Sequence, residues 1–375
     1  MERNKTLVII TPAFPANERE SYWVPSQQLM VKALQKNYPQ IHFFVLTFFY
    51  PYQETSYLWN GVETTSFNGI QKRKLRRIFL WRSAWKKLKD IHNKFDIIGI
   101  LSFWCGECAF IGHHFAKRHS LKHLTWICGQ DARKTNRWVR FIHPASQELV
   151  AMSPFLVREF YKSHGIMPPY IIPNAVDPAI FHHSIPSIRD IQILAVGSFE
   201  PLKQYDVFVR IIHALKEYVP HIQAVHCGLG REDKKIDELI NMLGLQKNVQ
   251  LSGGKPHEEI LELMCRTKVF LHTSRYEGFS TVCLEALYAG AHVISFCYPL
   301  DHAVPHWHRV DSEGEMMLKA LEILNIEHPD HSPVFLYSMD ECAKKMMDLF
   351  EKGAVPNDTE VGDHSVHEQT LNSQL

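Results

Sequence analysis

Short apolar runs closed by polar or turn-forming residues recur along the chain. They alternate with stretches where apolar positions return every three or four residues. Residues 7–11, 41–47, 96–102, 124–127, 149–152 and 170–172 read as buried strands. Between them, residues 27–35, 71–93, 107–118 and 154–163 read as helices. Ser153 and Pro154 mark one helix start, as N-cap and first helical residue. Residues 48–68 read as a long aromatic and polar loop. After a polar stretch the alternation resumes, with strands at 191–196, 223–227, 269–273 and 292–295. Helices are expected at 205–217, 235–243, 280–289, 313–324 and 339–351. Such alternation implies an α/β protein with doubly wound parallel sheets, which bind ligands beyond the C-terminal ends of their strands. The 375 residues suffice for two domains. The expected division is 1–176, a linker at 177–190, a second domain at 191–352, and a polar, disordered tail at 353–375.

One unit concentrates the chemistry, VFLHTSRYEGFSTVCLEALYAGAHVIS at 269–295. It reads as strand, loop, helix, strand. The backbone N–H groups of Gly278, Phe279, Ser280 and Thr281 lie at a helix N-terminus, a ready site for phosphate. Glu277 stands just before it. Glu285 lies between two apolar rows inside the helix and is expected to be buried, so it needs hydrogen-bond donors. A ribose diol supplies two. Two acids flanking a phosphate site fit a nucleotide sugar, with Glu277 at the sugar and Glu285 at the ribose.

Charge divides the chain unevenly. Residues 1–176 hold 24 Lys/Arg against 11 Asp/Glu, net +13, while the whole chain is net +1. The basic half is expected to meet something anionic. Residues 71–89, QKRKLRRIFLWRSAWKKLK, carry nine cations and no acid, interleaved with Leu, Ile, Phe and Trp. That pattern reads either as an anionic-membrane contact or as a helix covering the sheet with a solvated basic face. No nucleic-acid module accompanies it. No apolar run is long enough to span a bilayer, and the first apolar run is too short for a signal peptide, so a cytoplasmic protein is expected, peripheral on the cytoplasmic membrane face if the basic stretch is a membrane contact. Eight scattered cysteines read as reduced core thiols, and Cys105-Gly106-Glu107-Cys108 as packing. No HExxH-type spacing occurs among the 23 histidines, and no metal is expected.

Glu277 and Glu285, seven residues apart within EGFSTVCLEALYAGAHVI, resemble the E-x7-E signature of retaining GT-B glycosyltransferases of the group 1 family, family 4. Three further stretches resemble the family. YIIPNAVDPAIF at 170–181 is similar to its domain junction, with Ala175 in place of glycine. GSFEPLK at 197–203 is similar to its phosphate loop, and LGLQKNVQLSGGKPHEEI at 243–260 is also close.

The resemblance implies two Rossmann-like domains facing across a cleft: an N-terminal acceptor domain and a C-terminal nucleotide-sugar domain. It implies transfer with retention, no cofactor and no protein nucleophile, in glycolipid or surface-polysaccharide assembly. Gly197, Ser198, Lys203, Gly228, Gly230, Gly253, Glu277, Glu285 and the Gly278–Thr281 backbone would bind the donor. Lys203 and Glu277 would carry catalysis, with Gly129 and Asp131 on the acceptor side. A lipid-linked or other glycan acceptor would complete the reaction.

The chain departs from the family at three further places. No glycine-rich loop follows the first strand, so either Ser21 or Ser26 serves there or the contact is absent. Cys128 replaces a histidine, and Ser198 an arginine. Asp131 reads equally as an N-cap to a helix over 132–138. Two other readings stay open, the first motivated by these departures and the second because one fold hosts many activities. One is a protein that binds donor or partner without transfer; the other is an epimerase or phosphorylase on the same fold.

Overall fold

The computed structural model describes residues 3–21, 23–69, 77–181 and 188–351. Residues 71–76 of the basic stretch, 182–187 of the expected linker and the expected tail from 353 lie outside the described residues. The first domain comprises β1 (Lys5–Ala13), α1 (Pro25–Asn37), β2 (His42–Tyr50), β3 (Glu54–Trp59), β4 (Val62–Phe67), α2 (Arg77–Lys94) and β5 (Asp96–Phe103). It continues with α3 (Glu107–His119), β6 (His123–Ile127), α4 (Trp138–Ile142), β7 (Leu149–Ala151), α5 (Pro154–His164) and β8 (Tyr170–Ile171). Its eight strands lie in the order β3-β4-β2-β1-β5-β6-β7-β8. All pairs are parallel except β3 with β4. Apolar residues on both faces are buried, as a sheet covered by helices requires.

The second domain comprises β9 (Ile191–Val196), α6 (Tyr205–Lys216), β10 (Ala224–Cys227), α7 (Asp233–Met242), β11 (Val249–Leu251), α8 (His257–Cys265) and β12 (Thr267–His272). Then follow α9 (Thr281–Tyr288), β13 (His292–Ser295), β14 (Trp307–Arg309), α10 (Glu313–Asn325) and α11 (Met339–Glu351). Its all-parallel sheet runs β11-β10-β9-β12-β13-β14, so the order reverses between β9 and β12. The loops leaving β9 and β12 are therefore neighbours at a switch point, where doubly wound sheets bind ligands.

Three expectations need correction. Residues 48–68 are not a loop: β2 runs on to Tyr50, and β3 and β4 form a hairpin about Asn60-Gly61. Both turn residues have positive φ, 44° and 80°, the left-handed geometry that a two-residue Asn-Gly turn favours. Residues 132–138 are not one helix. A 3-10 turn covers Gly129–Ala132 and α4 starts only at Trp138. Asp131 stands at the third position of that turn and accepts the Cys128 N–H at 2.8 Å, so it is not an N-cap. Finally, α11 does not pack as part of the second domain. Asp340 meets Lys36 at 2.7 Å and Asn37 at 2.8 Å on α1, and Phe350 lies where a side chain on Gly99 of β5 would clash.

The chain thus crosses between domains twice. Outgoing Val176 and returning Ser338 form a parallel bridge, with Val176 N–H on the Tyr337 carbonyl at 3.2 Å. Buried side chains run continuously from Leu7 and Trp126, through Ala175 and Phe279, to Trp307 and Met347.

Candidate functional site

β9 ends in Gly197-Ser198 and passes into a 3-10 turn, Pro201–Lys203. The loop after β12 holds this turn in place. Thr273 Oγ1 donates to the Lys203 carbonyl at 2.7 Å, and Ser274 Oγ to the Leu202 carbonyl at 3.2 Å. Lys203 Nζ then forms an ion pair with Glu277 Oε1. His272, the last residue of β12, brings Nε2 to 3.6 Å from the same carboxylate and to 3.4 Å from Ser280 Oγ. Burial opposes ionisation of Glu277, but hydrogen bonding by His272 and the charge of Lys203 outweigh it and bring the carboxyl down to about 2. Burial also pushes His272 below its ordinary value.

Glu285 is buried on α9, and its donor is a protein side chain. His257, at the start of α8, places Nε2 2.8 Å from Glu285 Oε1. Burial opposes a charge on His257, but the Glu285 carboxylate prevails and raises its pKa. His272 and His257 were both missed as site residues. Their one available signal was the unmet need of two buried acids for donors.

The first domain closes over this loop. Ser26, in the first turn of α1, meets Thr281 Oγ1 at 2.7 Å, and Ser21 Oγ accepts the His257 N–H at 3.2 Å. Both serines of the loop and helix start after β1 therefore reach across the cleft. Ser153 Oγ donates to the Gly278 carbonyl at 2.7 Å, and Asn174 of the junction to the Phe279 carbonyl at 2.8 Å. Gly129 and Gly278 abut: a Cβ on Gly129 would stand 2.8 Å from the Gly278 nitrogen. Tyr276 Oη donates to the Gly129 carbonyl at 2.9 Å, and the Arg133 guanidinium lies over the Tyr276 ring at 4.8 Å.

The remaining expected residues fall into place unevenly. Ser198 is exposed. Gly197, Gly228 and Gly230 let two loops pack on each other: a Cβ at Gly228 would lie 1.9 Å from the Gly197 carbonyl oxygen, and one at Gly230 2.5 Å from the Phe199 nitrogen. Gly253 has φ +67° and accepts the Gly228 N–H at 2.8 Å. The Phe279 side chain points into the core, against Trp307 and Tyr337, leaving only its backbone for a ligand. Asp131 is buried beneath Cys128, and burial lifts its carboxyl to about 7 against two backbone hydrogen bonds. Among the described residues, one group gathers metal-ligand atoms, His113, His123 and Glu148.

Two Rossmann-like domains with a cleft at the switch-point loops define a GT-B fold. Residues 181–300 match the model of the family Glycosyl transferases group 1, which the E-x7-E stretch resembles. A Saccharomyces cerevisiae relative, the GPI3 subunit of phosphatidylinositol N-acetylglucosaminyltransferase, is 32% identical over 124 residues. That match covers 31% of this chain and 27% of the relative, so the chain spans about a quarter of that protein's length. Among solved structures, sucrose-phosphate synthase from Thermosynechococcus elongatus is similar with a TM-score of 0.69, 16% identity, and 93% and 99% of the two chains covered. Anabaena HepE in complex with UDP-glucose is similar with a TM-score of 0.64, 13% identity, and 92% and 94% covered. No helix among the described residues is long and apolar enough to cross a membrane.

Proposed function

We propose that the protein is a retaining glycosyltransferase that moves a sugar from a UDP-linked donor to an acceptor hydroxyl in glycolipid assembly. One observation carries this reading: the loops after β9 and β12 converge at the switch point on the Lys203–Glu277 pair, beside the N-terminus of α9. The donor diphosphate binds between Lys203 Nζ and the first N–H groups of α9. Both stabilise the negative charge that develops as the glycosidic bond breaks. Glu277, held ionised, accepts hydrogen bonds from sugar hydroxyls. Glu285, oriented by His257, receives the ribose. This chemistry needs no metal and no protein nucleophile; a phosphate oxygen of the leaving group takes the acceptor proton. UDP as the nucleotide, and an N-acetylglucosaminyl group as the sugar, follow the HepE complex and the yeast relative.

The acceptor side is the switch point of the first sheet, between β1 and β5. A cavity of about 220 Å³ opens there among Pro12, Phe103, Trp104 and Trp138, with the Arg77–Glu107 ion pair on its wall. Beside it, Ile78, Phe79 and Phe141 are exposed, and Arg82, Lys86 and Lys89 line the outer face of α2. The tryptophans of α2 turn inward: Trp81 donates to Glu107 and lies against Phe110, and Trp85 lies against Phe115. Exposed apolar residues beside a basic face suit a lipid-linked acceptor at an anionic membrane.

Thermal shift against UDP-, GDP- and ADP-sugars tests the donor assignment. The UDP-sugar raises the melting temperature of the wild type, and Glu285→Ala removes the rise. A well-folded wild type that responds to none of the three contradicts the assignment and favours a protein that binds a partner instead.

A further inference from the structure

We propose that His113, His123 and Glu148 bind one zinc-class divalent ion that fastens the first domain at the end of its sheet remote from the cleft. The three side chains come from separate elements: the middle of α3, the first residue of β6, and a 3-10 turn, Ser146–Glu148, just before β7. His113 Nδ1 lies 2.9 Å from Glu148 Oε1, and His123 Nδ1 lies 3.5 Å from the same oxygen. All three ligand atoms fall within 4.8 Å of one another. Tetrahedral zinc, with bonds of about 2.0–2.1 Å, sets its donor atoms roughly 3.4 Å apart. Small side-chain shifts reach that spacing.

His123 supplies the second, independent observation. Its side chain is 2% exposed, and its Nδ1 makes no hydrogen bond, although it faces the Glu148 carboxylate. The other ring nitrogen, Nε2, is engaged by Ser102 Oγ at 2.9 Å. Binding a cation at Nδ1 selects the tautomer in which Nε2–H donates to the serine, and the ion then sits between the Nδ1 lone pair and a carboxylate oxygen. Ligating histidines hand their far N–H to a carboxylate, carbonyl or water, and here the Ser102 hydroxyl stands in that place. Gly112 of α3 makes room for it: a Cβ there would stand 2.7 Å from Ser102 Oγ and 3.0 Å from His123 Nε2. Glu148 is oriented as well, its Oε2 accepting the Ala145 N–H at 2.7 Å while Oε1 turns to the histidines.

Two imidazoles and one carboxylate favour zinc or a neighbouring transition ion over calcium or magnesium, which take mostly oxygen ligands. Glu148 is partly open to solvent, so water completes the coordination. His123 begins β6, whereas the donor site lies beyond the C-terminal strand ends of the other domain. The ion therefore braces the fold and takes no part in transfer. The ligand spacing matches no linear motif because three elements contribute one ligand each.

The test uses the full chain, stripped with chelator and then equilibrated with zinc. Bound metal per chain is measured by emission spectroscopy after gel filtration, alongside the melting temperature. Wild type is compared with His123→Ala, with Glu148→Gln, and with His308→Ala as a control for stray histidines. Wild type should hold one zinc per chain and melt higher with it. Glu148→Gln, which keeps the shape of the side chain, should bind at least tenfold more weakly, and the control should bind as wild type does. Should His123→Ala not fold, Glu148→Gln and the visible spectrum of the cobalt-loaded wild type decide. Intense bands of four-coordinate cobalt, lost in Glu148→Gln, support the site. Absence of tightly held zinc on wild type, or equal binding by Glu148→Gln, overturns it.

Discussion

A methyl group at Gly228 would lie 1.9 Å from the Gly197 carbonyl oxygen, and Gly228 has φ +149°. The glycines read from the sequence as donor contacts are thus required first by the packing of the loops after β9 and β10. Gly228→Ala should cost on the order of 3 kcal/mol, through clash and backbone strain together, and appear as a lowered denaturation midpoint. A change near zero would return these glycines to a purely ligand-facing role. Asp131 gives a pH-dependent counterpart. Its folded pKa, about 7, stands above its ordinary 3.8, so the unfolded chain loses the proton first. Stability from this group is complete below about pH 4 and is lost as pH rises through 7. Asp131→Asn keeps the carboxyl-like acceptor without the charge. Its stability relative to wild type should therefore improve by on the order of 2 kcal/mol between pH 5 and pH 8. A pH-independent difference would contradict the raised value. Glu277 and Glu285 were legible because spacing within one strand–loop–helix unit fixes where they sit. His257 and His272 were not, since each meets its acid only through tertiary packing.

Most elements were legible at the level of period and punctuation, and those that were misread have physical reasons. β3 and β4 alternate small polar residues with few large apolar ones, so the Asn60-Gly61 turn was the only strong cue. α11 follows the second domain in sequence and is amphipathic, but periodicity gives a buried face without naming its partner. Phe350, 7% exposed and beside Gly99, shows that the partner is the first domain. Phe350→Ala should cost about 3–5 kcal/mol. Amide exchange should rise in α1 and β5 rather than in α10; the reverse distribution would place α11 with the second domain. The stretch before β9 carries a further buried group that polarity concealed. Arg189 donates to the carbonyls of Met264, Thr267 and Ala289, tying the ends of α8 and α9 to the start of β12. A polar stretch in sequence is here a buried clasp.

At the scale of the molecule, the alternating strands and helices were enough to predict two doubly wound domains. The closure between them was not predictable, because contacts such as Ser26–Thr281 and Gly129–Gly278 join residues more than a hundred positions apart. That closure brings Ser26, Gly129 and Ser153 of the basic domain against the tip of α9, whereas the aromatic cavity is lined by first-domain residues. The account's central claim is that the cleft beside the loops after β9 and β12 performs sugar transfer through Lys203 and Glu277. The most direct measurement follows transfer of radiolabelled sugar from UDP-N-acetylglucosamine to lipid in anionic vesicles, for wild type, Lys203→Ala and Glu277→Gln. The account predicts label in the lipid fraction with wild type, and kcat reduced by about 10²–10³ in each variant with the fold retained. Donor binding by wild type with no transfer, or transfer undiminished in both variants, would contradict it.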